Sequence, residues 1–227
     1  MNNVLKLTQH EFRDLLRNPS IIILVVLPIF MSKVIITVMD QSGLNFMLLS
    51  TWILFAQVMV GIMITGPGLI EERESKTFDA LLISPLSKGQ IIVAKGLTVL
   101  ILSLLSQTIV FLLNYGLSWA FWPSLLYMIL GGIVFVEMGI IIGFLVNSSQ
   151  NGSAVSSAVM IIFFLVVTVY EALPNWTYPF FVAWPSIEIS QNLNSILKGD
   201  GLLLMESLLL PLWIVGLSLW ISRIGEE

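Results

Sequence analysis

The sequence predicts an all-α membrane protein with six spanning helices. Three observations carry that expectation. First, of 227 residues 57% are apolar and only 11% are charged, against about 25% charged in an ordinary soluble domain, and the mean hydropathy is +0.96. So few charges cannot cover the outside of a soluble fold, and the same composition excludes disorder. Second, the apolar residues gather into six long runs, at 20–38, 46–70, 91–115, 125–146, 154–170 and 202–221. A span needs about 20 such residues at about 1.5 Å each, and the runs lack the alternation of a barrel wall. Third, the ten basic residues are lopsided. With the N-terminus inside, the inner segments carry Lys6, Arg13, Arg17, Arg73, Lys76, Lys88 and Arg223, with Lys95 just inside a helix start, and the outer segments carry only Lys198. Positive charge favours the inner side, so both termini are expected there.

Residues 3–18 are too polar to cross, yet they are patterned. Leu5, Thr8, Phe12, Leu15 and Leu16 share one helical face, and Lys6, His10, Arg13 and Arg17 share another. That predicts a helix lying in the membrane surface, broken at Asn18-Pro19. The first span follows with no small-x-small cleavage pattern after it, so it is expected to stay as an anchor. Lys33, five residues from its outer end, can snorkel to the surface. In the second span, Gly66-Pro67-Gly68 should loosen the inner end.

The loop before the third span is the densest charge cluster: Glu71-Glu72-Arg73-Glu74-Ser75-Lys76-Thr77-Phe78-Asp79, then Ala80-Leu81-Leu82-Ile83-Ser84-Pro85. Phe78, Leu81 and Leu82 fall at i, i+3 and i+4, which predicts a short amphipathic helix stopped or kinked at Pro85. Ser87 with Gln90 has the spacing of a capping box opening the third span. In the fourth span, Gly132, Gly139 and Gly143 form a small-residue face for close helix contact. Glu137, well away from that face, is the one carboxylate at mid-span; it is either a substrate-path residue or hydrogen-bonded to a neighbour such as Gln107 or Asn114. Residues 171–201 are aromatic and Pro-rich, and 31 structureless residues would be unusual in so compact a chain. One or two short re-entrant or interfacial helices are expected there, one running from a Ser186 cap to Leu197 and stopped at Gly199. Glu206, one turn inside the last span, can reach the surface. There is no Cys and a single His, so no metal site or thiolate chemistry is expected. An intramembrane enzyme would need a polar constellation at mid-depth, which Glu137 alone does not provide.

The charged loop resembles the hallmark of type-2 ABC transporter permeases: an acidic-basic-acidic cluster, Thr, an acidic residue, Leu-Leu, a Ser/Thr-Pro step and a Lys entering the next helix. Here those positions are Glu72-Arg73-Glu74, Thr77, Asp79, Leu81-Leu82, Ser84-Pro85 and Lys95. Lys76 stands where the family commonly has Gly. The N-terminal surface helix is similar to the family's elbow helix, the turn at 147–153 to its second cytoplasmic turn, and Leu173-Pro174-Asn175-Trp176 to the outer segment before its last span. The resemblance implies a single permease domain over 1–227, embedded in the plasma membrane of a prokaryotic cell, with no catalytic residue of its own. It implies that Glu71, Glu72, Arg73, Glu74, Thr77, Phe78, Asp79, Leu82 and Pro85 couple the chain to an ATP-binding cassette subunit, which would hold ATP and Mg. No phosphate-loop pattern G-x-x-x-x-G-K occurs in the chain itself. A second permease subunit, identical or related, and membrane lipid are the other implied partners; nucleic acid is not. The expected cargo is a hydrophobic or amphipathic small molecule or peptide of drug or antimicrobial type, moved outward. Export of a lipid-linked glycan, or a non-transporting immunity or sensor role on the same bundle, are the alternatives.

Overall fold

The computed structural model describes residues 2–39, 45–170, 173–181, 183–203 and 207–226. The described residues are almost wholly helical, in the order α1 (Asn2–Arg17), α2 (Pro19–Met39), α3 (Asn45–Glu74), α4 (Thr77–Leu82), α5 (Lys88–Tyr115), α6 (Phe121–Leu145), α7 (Ser149–Tyr170), a 3-10 turn (Asn175–Thr177), α8 (Tyr178–Phe181), α9 (Pro185–Lys198) and α10 (Leu209–Glu226). Five of these, α2, α3, α5, α6 and α7, are long and apolar enough to cross a membrane; in α10 the apolar stretch Leu209–Ile224 is shorter.

The last apolar run therefore begins as helix at Leu209, not at Leu202. Pro211 lacks an N–H and is tolerated only in a first helical turn, and the Leu210 N–H is taken by Glu188 Oε1 at 3.0 Å. Glu206 lies outside the described residues. Two other ends also move. α3 continues through the charged residues to Glu74 because their side chains find partners on other helices. α7 opens at Ser149, five residues earlier than hydropathy suggests, because a carboxylate from α3 caps it.

α3 and α6 form the centre of the bundle, with α5 packed across both, α7 and α2 against α3, and α10 against α6. Glycines set the close approach of α3 and α6. A Cβ on Gly61 would lie 2.9 Å from Phe135 Cβ, and one on Gly139 would lie 2.8 Å from Thr65 Cβ and 2.9 Å from the Gly61 carbonyl. Gly143 faces Leu69 of α3 in the same way, whereas Gly132 faces Leu100 of α5, and it is Gly131 that meets Gln57. The expected small-residue face is thus divided between two neighbours. Gln57 Nε2 donates to the Tyr127 and Met128 carbonyls of α6, at 3.0 and 3.2 Å. α2 is tied to α5 by Ser106 Oγ donating to the Val25 carbonyl at 2.8 Å and Asn114 Nδ2 donating to Ser32 Oγ at 3.2 Å. Lys33 is exposed and donates to the Leu113 carbonyl at 3.1 Å.

α3 is continuous through Gly66-Pro67-Gly68, so the expected loosening is not a break. Gly66 instead makes room for α7, since a Cβ there would lie 2.7 Å from Ser156 Oγ. α9 starts on Pro185 after Trp184, with Ser186 inside its first turn, not capping it. It ends at Gly199 (φ 87°), where the Gly199 and Asp200 N–H groups return to the Ile196 and Ser195 carbonyls. Nearly all of α9 is buried, packed on α3, α6, α7 and α10.

Candidate functional site

Three consecutive residues at the end of α3 point to three different places, because successive helical residues are rotated by about 100°. Glu72 turns toward α5 and α1: Lys95 Nζ lies 2.7 Å from Glu72 Oε1 and 2.7 Å from Glu11 Oε1. The three side chains are only 11% (Lys95), 18% (Glu11) and 29% (Glu72) exposed. Arg73 turns toward α6, where Nη1 donates to the carbonyls of Gly143 (2.7 Å), Phe144 (3.1 Å) and Val146 (3.4 Å). Those carbonyls belong to the α6 C-terminus, which has no helical donors left for them and carries the negative end of the helix dipole. The guanidinium also lies 5.9 Å from the Phe144 ring centroid, on whose ring Lys88 Nζ sits at 5.7 Å. Glu74 turns toward α7 and accepts from the Ser149 N–H at 3.1 Å and from the Ser149 hydroxyl. One turn of charged helix thus joins α1, α5, α6 and α7.

α4 hangs from this junction. The chain reverses at Lys76, whose φ of 58° is left-handed, the one non-glycine residue so placed among the described residues. Thr77 Oγ1 donates to the Glu72 carbonyl at 3.2 Å. Phe78 is buried and packs edge-on to Phe144, with centroids 6.2 Å apart. Thr77, Asp79, Ala80, Leu82, Ile83 and Pro85 remain exposed, as does Glu71. A cleft of about 590 Å³ between α4 and the ends of α3, α6 and α10 is walled by Arg73, Glu74, Asp79, Leu82 and Asn147 among others. Ser87 closes the loop as a full capping box, its Oγ accepting from the Gln90 N–H and Gln90 Oε1 from the Ser87 N–H.

Of the nine residues expected to face a partner, Glu72, Arg73 and Glu74 are engaged within the chain and Phe78 is buried. The outward-facing set is Glu71, Thr77, Asp79, Leu82 and Pro85. On α1, Lys6, His10, Arg13 and Arg17 are all exposed, with His10 Nδ1 2.8 Å from Asp14 Oδ2. The inward stripe differs from the expected one: Leu7, Thr8, Glu11, Phe12 and Leu15 face the bundle, and Leu5 and Leu16 are exposed. Thr98 Oγ1 of α5 donates to the Thr8 carbonyl at 3.3 Å, which anchors α1. Glu11 went unnoticed because it interrupts an apolar stripe; its signal was its spacing of four and three from Leu7, Thr8 and Leu15.

A second feature is a groove of about 500 Å³ between α5, α6 and α10. Glu137 lies in it and accepts from Ser218 Oγ of α10 at 2.5 Å. Its partner is therefore neither Gln107, which donates to Ser103, nor Asn114, which donates to Ser32 and the Val110 carbonyl. Glu188 of α9 is a second buried carboxylate, 2% exposed. Beside it, Asn192 Oδ1 accepts from the Leu203 N–H (3.1 Å) and Ser207 Oγ (3.2 Å), and the Ser207 and Tyr127 hydroxyls are hydrogen-bonded. Glu188 sat unremarked in a segment read as interfacial. Among the described residues no group of three or more His, Asp or Glu side chains could hold a metal ion.

A family model described as ABC-2 family transporter protein matches residues 31–224. A probable multidrug ABC transporter permease, YbhR of Escherichia coli strain K12, is 32% identical over 126 residues, covering 52% of this chain and 34% of that protein. The protein of the same name in E. coli O157:H7 matches to the same extent. The chain thus spans about a third of the length of these curated relatives, at 34%.

Proposed function

Since the chain belongs to the ABC-2 family of transporter proteins, as an integral membrane permease, we propose that it is the membrane half of an ATP-driven exporter. ATP and Mg are held by a separate cassette subunit, and two permease subunits, identical or related, enclose the pathway. α10 makes the sixth span, both termini face the cytoplasm, α1 is the elbow helix on the membrane surface, and α4 is the coupling helix. The cargo is a hydrophobic or amphipathic small molecule or peptide, in keeping with a groove walled mainly by apolar side chains. The multidrug permease of E. coli points the same way. Glu137 lies on the substrate path.

The observation that carries this reading is the way α4 is mounted. Its outward face is free for a partner, while the turn it hangs from is bonded to four helices. A push on α4 by a closing cassette pair would reach those helices without slack, because each contact is a charged hydrogen bond or ion pair. The test is affinity purification of the tagged chain from its native membrane, with identification of partners and an ATPase assay. Recovery of a cassette subunit at matched stoichiometry is expected, and Asp79→Lys with Leu82→Asp should abolish it while leaving thermal stability unchanged. Recovery of the chain alone would sink the exporter reading, and an undiminished cassette partner in the double variant would sink the assignment of α4.

A further inference from the structure

The groove beside Glu137 has a chemistry that the transmission of force does not use. α5 and α10 flank α6 and scarcely touch each other. The space between them is walled by apolar side chains, including Val93, Leu97, Ile133 and Ile140, and widened by Gly96. Val93 and Leu97 are exposed on the outside of the bundle, so the rim is continuous with the lipid-facing surface. At about 500 Å³, the space falls within the range of small-molecule sites, about 300–1,000 Å³. On its wall, Glu137 Oε1 takes the Ser218 hydroxyl, while Oε2 is buried with no hydrogen-bond partner among the described residues. Ser222 lines the groove too, but its hydroxyl is spent on the Leu219 carbonyl. Lys88 sits against Phe144 at the end of the groove, seven residues from Glu137 and so about 10 Å along the axis. Lys95 is held by Glu11 and Glu72. No cation within the chain neutralises the carboxylate, and a buried acceptor without a donor is costly.

We propose that this groove binds an amphiphilic amine from the lipid phase, its ammonium donating to Glu137 Oε2 and its hydrocarbon lying along α5. An ammonium supplies both the missing donor and the missing charge, which neither a neutral alcohol nor a fatty acid does. The inference deepens the permease reading by naming a cargo class, but it needs no ATPase subunit, so binding and transport fail separately.

The test is equilibrium binding of tritiated dodecylamine to the purified chain in phosphatidylcholine nanodiscs, with empty nanodiscs as background and dodecanol and dodecanoate as competitors. Saturable amine binding is expected, with dodecanol weaker by about tenfold or more. Glu137→Gln should bring the amine down to the level of the alcohol. Gly96→Leu, which fills the groove and leaves the carboxylate in place, should remove the binding of both and covers the case in which Glu137→Gln fails to fold. Competition by dodecanoate equal to that by dodecylamine, full affinity in Glu137→Gln, or amine binding that survives Gly96→Leu would each overturn the proposal. Loss of binding with a recovered cassette partner would leave the permease reading standing.

Discussion

Lys95→Met tests the three-helix cluster directly. The substitution keeps the length and helix propensity of the side chain and removes one charge. It leaves Glu11 and Glu72 facing each other without the ammonium that lay 2.7 Å from both. Breaking a fully buried ion pair costs about 3–5 kcal/mol, and an exposed pair contributes about 0–1 kcal/mol. With exposures of 11%, 18% and 29%, this cluster lies closer to the buried case. The expected loss is about 2–3 kcal/mol, which for a chain of this size lowers Tm by about 5–10 °C. Tryptophan-fluorescence unfolding of the purified protein in detergent measures it. Adding Glu11→Gln and Glu72→Gln to Lys95→Met removes the stranded charges and should restore most of the loss. A fall of less than about 1 °C in the single variant would refute the reasoning, since even a half-buried pair exceeds it. A triple variant as unstable as the single would show that packing, and not charge, explains the effect.

The other predictions concern backbone and close contacts. Lys76→Gly should raise stability by about 0.5–1 kcal/mol, because the left-handed turn at φ 58° strains any side chain; an unchanged or lower Tm would place the turn elsewhere. Gly139→Leu should prevent recovery of monodisperse protein in size-exclusion chromatography, since its Cβ would meet the Gly61 carbonyl at 2.9 Å and backbone cannot yield. Gly68→Ala is the matched control: it points into open space, so the gain in helix propensity of about 1 kcal/mol should appear as a higher Tm.

What could be read from the sequence followed from one-dimensional physics. Five of the six apolar runs appear as helices within a few residues, because the bilayer requirement is a length and a composition. The capping box at Ser87 and the stop at Gly199 were visible because both are local bonding patterns. The break between Arg17 and Pro19 follows from the Pro ring in the same way. What could not be read depended on partners distant in sequence. Glu74 caps a helix 75 residues away, Arg73 a carbonyl 70 residues away, and Lys95 reaches back 84 residues to Glu11. Read locally, those charges describe a solvated face awaiting a partner. The late start of α10 needed Glu188, from a segment whose aromatic composition suggested an interface and whose helix is in fact enclosed. Lys76 is instructive in the other direction: the place where Gly is common in the family is the place where the backbone turns left-handed.

The contacts of Glu72, Arg73 and Glu74 have a consequence for what change the chain can absorb. Each depends on an angle as much as on a charge. A single residue inserted into α3 ahead of Glu72 would advance the register by about 100°. The carboxylate meant for Lys95 would then sweep toward the α6 carbonyls, and the guanidinium toward Ser149. Every residue would be retained and all three seats would be occupied by the wrong neighbour, with like meeting like at two of them. The end of α3 is thus keyed in phase, as a shaft is keyed to its hub.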